Sequence, residues 1–180
     1  MDIENRLMFE KGSDSYELGS IGEADVTDHY VKALQDQKSY IQNIQADISL
    51  EKQRAYVKKI CLSKDDGILG LFLNGSLIGT SGVQNINGSG FTTFGIFVFD
   101  KEDRGKGYGK ILVWASTCLL SQSLGCKQFS AGMEKTNIPS FKAFKACGYD
   151  ILKETDDVYI VKINDSDLIV PEQISGVRLA

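Results

Sequence analysis

Arg104-Gly105-Lys106-Gly107-Tyr108-Gly109 comes directly after the apolar run Phe94 to Phe99 and leads into the periodic apolar stretch Ile111 to Leu124. Three glycines alternate with longer side chains, so a strand is expected to pass through a loop stripped of Cβ atoms and open a helix. At such a junction the backbone N–H groups point into open space. Unpaired amides and the helix dipole together attract anions there. Arg104, Lys106 and Lys110 add positive charge over the same few turns. The stretch predicts an anion site suited to a phosphorylated ligand.

The flanking sequence gives this loop a setting. Upstream, Ile68 to Leu73, Asn74-Gly75 and Leu77 to Val83 read as a hairpin, because Asn-Gly suits a type I′ turn. A second turn, Asn87-Gly88-Ser89-Gly90, leads to a strand over Phe91 to Phe99, which completes an antiparallel meander. Downstream, Gly125 ends the helix and Lys127 to Met133 forms a further strand. Asn137-Ile138-Pro139-Ser140 starts a short helix with Phe141, Phe144 and Cys147 inward and Gly148 at its end. Tyr149 to Lys153 and Val158 to Ile163 make a terminal hairpin.

Nearer the N-terminus, Tyr16 to Ile21 reads as a short strand. Asp25 or Thr27 caps a helix that turns Val26, Tyr30, Val31 and Leu34 inward. Ile41, Ile44 and Ile48 lie in an ambiguous segment. Ser49 caps a second helix with Leu50, Tyr56, Val57 and Ile60 as its inner stripe. Residues 1–14 hold at most a first β-segment, and 164–180 read as a polar, loose C-terminal tail. The expectation is one α+β domain over residues 1–180 with its core at about 15–163.

A chain of 180 residues with 42% hydrophobic content suits one soluble globular domain. No run approaches the roughly 18 to 20 apolar residues that a membrane span needs, and no signal-peptide core follows Met1-Asp2-Ile3-Glu4. Four scattered cysteines without a Cys-x-x-Cys pair, and a single histidine, point away from zinc or a disulfide framework. Buried thiols in a cytoplasmic protein are expected instead. The net charge of −4 argues against a general nucleic-acid binder.

Spacing separates three phosphate loops. A nucleotide-triphosphatase loop needs Gly, four residues, Gly-Lys and then Ser or Thr; here Ile111 follows Lys110, and Arg104 stands where the first glycine belongs. A dinucleotide fingerprint requires a third small residue where Lys110 sits, after a parallel unit and not a meander. Arg-x-x-Gly-x-Gly remains, with Arg104, Gly107 and Gly109 in place.

With that loop, the chain resembles the GNAT superfamily of N-acetyltransferases, which use acetyl-CoA. The later run Asn137-Ile138-Pro139-Ser140, Phe144 and Gly148-Tyr149 resembles the family's second motif in order and spacing. The resemblance covers roughly residues 15–163. The helix over Leu50 to Leu62 resembles the branch containing ribosomal-protein N-terminal and amino-sugar acetylases. It implies a three-layer α/β/α fold: a mixed, mostly antiparallel sheet of six to seven strands flanked by about four helices.

The resemblance also implies a division of labour. The strand over Phe91 to Phe99 would splay from the strand over Lys127 to Met133, and the pantetheine arm of CoA would lie in the gap against the backbone of Ile96, Phe97 and Val98. Amides of Gly105, Lys106, Gly107, Tyr108, Gly109 and Lys110 would hold the pyrophosphate, with Arg104 shaping the loop. Asn137 would contact the pantetheine or phosphate region, with Ser140 one turn on. Lys142 and Lys145 are within reach of an adenosine phosphate in this picture, although solvated helix lysines are common.

The implied reaction is direct attack of a primary amine on the thioester, with a carboxylate base and often a Tyr acid. No metal is required. The chain departs from that pattern twice. Phe144 occupies the position commonly held by the Tyr, and Thr92 and Thr93 stand where some relatives carry Glu. Glu134 is the candidate base. His29 on the first helix reads as partly exposed, and Trp114 as packing.

Implied acceptors are a small-molecule amine, an amino sugar or a peptide N-terminus. No nucleic acid or membrane partner is expected, and the chain is expected to be a monomer or homodimer. A CoA-binding sensor or interaction module without turnover is the alternative, motivated by Phe144 and the missing carboxylate. A nucleotide-dependent phosphotransferase is disfavoured by Ile111.

Overall fold

The computed structural model describes residues 3–37, 48–88 and 90–180, so Ile41, Ile44 and Ser89 lie outside the described residues. In chain order the elements are β1 (Leu7–Lys11), β2 (Asp14–Ser20), α1 (Asp28–Asp36), α2 (Leu50–Cys61), β3 (Gly67–Leu73), β4 (Ser76–Gln84), β5 (Thr92–Val98), α3 (Tyr108–Leu124), β6 (Gln128–Glu134), α4 (Ile138–Ala146), β7 (Asp150–Glu154), β8 (Val158–Asn164) and β9 (Ile174–Leu179).

Local chemistry sets most boundaries. Thr27 Oγ1 accepts the Tyr30 N–H at 3.3 Å and starts α1, while Ser49 Oγ accepts the Lys52 N–H at 3.4 Å and starts α2. Asn74 and Gly75 take φ of 49° and 84°, the left-handed pair that joins β3 to β4 as a tight hairpin. Gly125 ends α3 in the left-handed conformation, its N–H returning to Leu120 and Ser121 carbonyls.

Among the described residues one sheet of nine strands runs in the order β7-β8-β6-β5-β4-β3-β2-β1-β9. Every pairing is antiparallel except β5 with β6. On one face, Ile111 through Leu120 of α3 are all buried, packed with Phe94, Phe129, Ala131, Met133 and α4's Phe144. A helix apolar all round is one enclosed on all sides. On the other face α1 and α2 bury Tyr30, Val31, Leu34 and Val57 against Ile21, Ile68 and Phe99. The three-layer α+β expectation holds.

The strand count differs from the six to seven expected. Leu7–Lys11 pairs with β2, and the segment expected as a loose tail supplies β9 on the outer side of β1. Arg6 and Ala180 exchange N–H···O bonds of 2.9 Å in both directions. β9 is almost wholly exposed and lacks an alternating apolar pattern, so its main signal is a partner strand about 170 residues away in sequence. The α2 stripe also needs correction. Gln53 and Val57 are its buried residues, whereas Tyr56 is 46% exposed.

Candidate active site

The glycine loop leaves β5 at Phe99 and makes a short 3₁₀ turn over Lys101–Asp103. Gly105 and Gly107 then take φ of 82° and 89°, which a Cβ would strain, and both Cβ positions meet nothing within 4 Å among the described residues. Gly107 is the N-cap of α3 and, being glycine, offers no capping side chain. The first bond into the helix is Ile111 N–H to Gly107 O at 3.1 Å, so the amides of Tyr108, Gly109 and Lys110 precede the intrahelical ladder. Lys106 differs from expectation, because its N–H donates back to Asp103 O at 3.3 Å and its ammonium pairs with Asp103 at 2.8 Å. That hydrogen bond holds the Lys106 pKa above its ordinary value. The Tyr108 ring packs onto the main core.

β5 and β6 are paired only at Thr92 with Phe129 and at Thr93 with Ser130. Beyond that register the strands separate, while β5 stays paired with β4 as far as Val98. The Phe99 N–H donates to Ile78 O at 3.0 Å. Backbone direction alternates along an antiparallel strand, so Phe97 and Gly95 also turn their main chain to β4. Phe97 thus gives its main-chain groups to β4, and those of Ile96 and Val98 face the gap. The start of α3 adjoins this edge: a Cβ on Gly109 would lie 3.5 Å from Ile96 Cδ1 and 3.6 Å from Ala143 of α4. A strand-shaped gap thus runs from an uncapped helix N-terminus to a closed end at Thr93 and Ser130.

On the face opposite α3, the hydroxyls of Thr93 and Ser130 meet at 3.0 Å. Glu134 is exposed on the same face at the open end, accepting from Thr136 Oγ1 at 3.3 Å. Four residues of strand put it about 13 Å from Ser130. Asn137 Oδ1 caps α4 by accepting the Ser140 N–H at 3.2 Å. Lys145 is bound to Asp150 at 2.7 Å, and Lys142 is exposed.

Phe144 is 1% exposed, packed between Phe94 and Tyr149, so the position commonly held by an acid is core here. Trp114 is likewise buried. Cys147 donates to Lys110 O at 3.3 Å, and burial pushes its thiol up to about 12, which keeps it from acting as a thiolate. His29 is exposed and its Nε2 lies 2.9 Å from Asp100.

Gln37 carried no sequence signal. It ends α1, is 4% exposed, and donates from Nε2 to Val98 O at 3.2 Å and to Phe99 O. Its Oε1 accepts from Arg104 Nη2 at 2.8 Å. Its partners lie more than sixty positions on, beyond any local pattern. Beside it, a cavity of about 410 Å³ is lined by Asp36, Asp100, Glu102 and Asp103 among others. Those four carboxylates outnumber Lys32 and Lys101 in the same lining, which leaves the cavity net acidic and poorly suited to a phosphate. A second cavity, about 510 Å³, lies on α2 by Glu23, Arg54 and Lys58 and does not include the loop.

A family model described as the acetyltransferase (GNAT) domain matches residues 17–150, which is most of the chain. The chain belongs to this family. It is an acyltransferase, and acetyl-CoA is its co-substrate. No curated protein sequence matches it. Among solved structures it is similar to Mycobacterium smegmatis RimJ in complex with CoA-disulfide, with TM-score 0.73 and 11% identity, covering 90% of this chain and 88% of that one. The ribosomal-protein-S5-alanine acetyltransferase of Vibrio fischeri gives TM-score 0.72 and 15% identity, covering 91% and 99%. The spermidine N-acetyltransferase of Vibrio cholerae, in complex with CoA and spermine, gives 0.71 and 17%, covering 84% and 96%. At these identities the likeness is one of fold. No helix among the described residues is long and apolar enough to cross a membrane.

Proposed function

We propose that this chain moves the acetyl group of acetyl-CoA to a primary amine by direct attack of the amine on the thioester. The observation that carries the reading is the gap between β5 and β6, which ends at the uncapped N-terminus of α3. Amides of Tyr108, Gly109 and Lys110, with the open backbone of Gly105 and Gly107, offer donors and space for the pyrophosphate. The Ile96 and Val98 edge receives the pantetheine amides as an added strand would be received, although the Val98 carbonyl already accepts one bond from Gln37.

The acetyl carbon gains a bond to nitrogen and loses its bond to sulfur; the ammonium loses one proton before attack and the nitrogen a second as the amide forms, and of these two one is released to solvent and one is matched by the proton the departing thiolate takes up. Phe144 cannot supply that proton, so water does. Glu134, about 13 Å along the strand from the closed end, lies beyond direct or single-water reach of a thioester held there, so as base it takes the ammonium proton over a chain of waters. Asn137 and Ser140 hold the start of α4 beside the donor. Small amines, amino sugars and peptide N-termini are the acceptor classes to screen. The fold-level neighbours include enzymes named for spermidine and for a ribosomal-protein alanine.

Calorimetry with CoA and a thiol-release assay over an amine panel test this reading. Expected are CoA binding, its loss in Gly107→Trp, and thiol release that depends on amine. Absence of CoA binding at millimolar ligand overturns the donor assignment. Binding without amine-dependent release instead favours the sensor alternative.

A further inference from the structure

The Thr93–Ser130 hydroxyl pair lies at the last paired register of the two strands, where the gap closes. Each hydroxyl carries one proton, and their mutual bond uses only one of the two. Neither hydroxyl has another hydrogen bond among the described residues, so one O–H is left over. Either hydroxyl can be the one that keeps the spare proton; Ser130 is 7% exposed and Thr93 is half-buried. Two residues past the pair on each strand, Gly95 and Gly132 stand across the opening from each other, and Gly82 lies directly beside Gly95. None of the three has positive φ, and a Cβ on any of them would meet nothing within 4 Å among the described residues. Backbone geometry does not require glycine there, yet glycine inside a strand costs roughly 0.5–1 kcal/mol relative to alanine. Beside the spare donor, the Cβ positions of these three glycines are filled by no side chain of the described residues.

Resting on the acetyltransferase reading above, we propose that the Thr93–Ser130 pair is a catalytic contact that donates its spare O–H to the acetyl carbonyl oxygen. An arm entering at α3 and lying along β5 covers three to five residues, about 10–16 Å, before reaching the pair, so its reactive end abuts the two hydroxyls. A donor suits the carbonyl oxygen, which gains negative charge as nitrogen attacks. It does not suit the amine nitrogen, whose lone pair forms the new bond. The space over Gly82, Gly95 and Gly132 leaves the opposite side of the carbonyl open to the acceptor.

The test is the infrared carbonyl band of isotope-labelled acetyl-CoA bound to wild type and to the double variant Thr93→Val/Ser130→Ala. The band is expected at lower frequency in wild type and returned toward the free value in the double variant, with acetyl-CoA affinity by calorimetry changed less than about threefold. Turnover with any amine found active should fall roughly 10²-fold in the double variant and only a few-fold in Thr93→Ser. Each single variant retains one hydroxyl and should lose less. An identical band in the two proteins overturns the proposal. Failure of wild type to bind acetyl-CoA at all would instead overturn the donor assignment on which it rests.

Discussion

Arg104 Nη2 donates to Gln37 Oε1 at 2.8 Å, and the same Gln37 amide reaches the carbonyls of Val98 and Phe99. One buried side chain thus ties the end of α1 to the last turn of β5 and to the entrance of the glycine loop. Removing it strands two carbonyls and a guanidinium contact. Gln37→Ala should cost about 1–3 kcal/mol of stability in denaturant unfolding. It should also weaken CoA binding by calorimetry, because the loop loses its anchor. Unchanged values in both measurements would show that the link is incidental.

Gly107 and Gly109 should answer differently to the same substitution. Gly107 has φ of 89°, so Gly107→Ala should cost roughly 1–2 kcal/mol and weaken CoA binding. At Gly109 a Cβ would make only ordinary contacts of 3.5 and 3.6 Å, and its backbone is helical. Gly109→Ala should be neutral or stabilising by up to ~1 kcal/mol, with CoA binding retained. Equal losses at both positions would contradict this account of the loop.

Alkaline pH should destabilise the fold, because several of its buried phenols ionise late. Burial pushes Tyr16 and Tyr30 up to about 12 and raises Tyr149 as well. In the unfolded chain these phenols ionise near 10, so between pH 10 and 12 the folded state holds more protons than the unfolded state. The phenols' contribution is therefore full below about pH 10 and is lost as pH rises toward 12, while the Cys147 thiol, raised from about 9 to about 12, adds a loss that begins near pH 9. Melting temperature against pH, read with tyrosinate absorbance, checks both the window and the sign. A flat profile over that window would count against buried phenols as its source.

Thr117 Oγ1 donates to Val113 O at 2.9 Å, so Tyr149 is the donor in the 2.7 Å bond between the two hydroxyls. Tyr149→Phe keeps the ring against Phe94 and Phe144 and removes that donor alone. The expected loss is about 0.5–1.5 kcal/mol by chemical unfolding. Thr117→Val should cost at least as much, because it leaves the Tyr149 O–H without an acceptor. A stabilised Thr117→Val would reverse the donor assignment.

What could be read in advance was whatever one short window encodes. Asn74-Gly75 specified its hairpin, Ser49 and Asn137 their caps, and the Gly105 to Gly109 loop its helix start. β9 could not be read, because its stability comes from Leu7–Lys11 at the other end of the chain. Tyr56 was misplaced because helical spacing indicates a face without saying where the sheet stops covering it. Within the site, the loop glycines were legible one by one. Phe97 was not separable from Ile96 and Val98, since main-chain direction depends on register with β4.

By itself the sequence determined the local setting of the loop: an Arg-x-x-Gly-x-Gly stretch between a strand and a helix, followed by an Asn-capped helix. The closed end of the gap was decided only in three dimensions. Thr93 and Ser130 are 37 residues apart in sequence, and only the parallel register of β5 on β6 brings their hydroxyls to 3.0 Å. Caps and turns are set by atoms within a few residues of one another. A strand register is set by packing across the whole sheet.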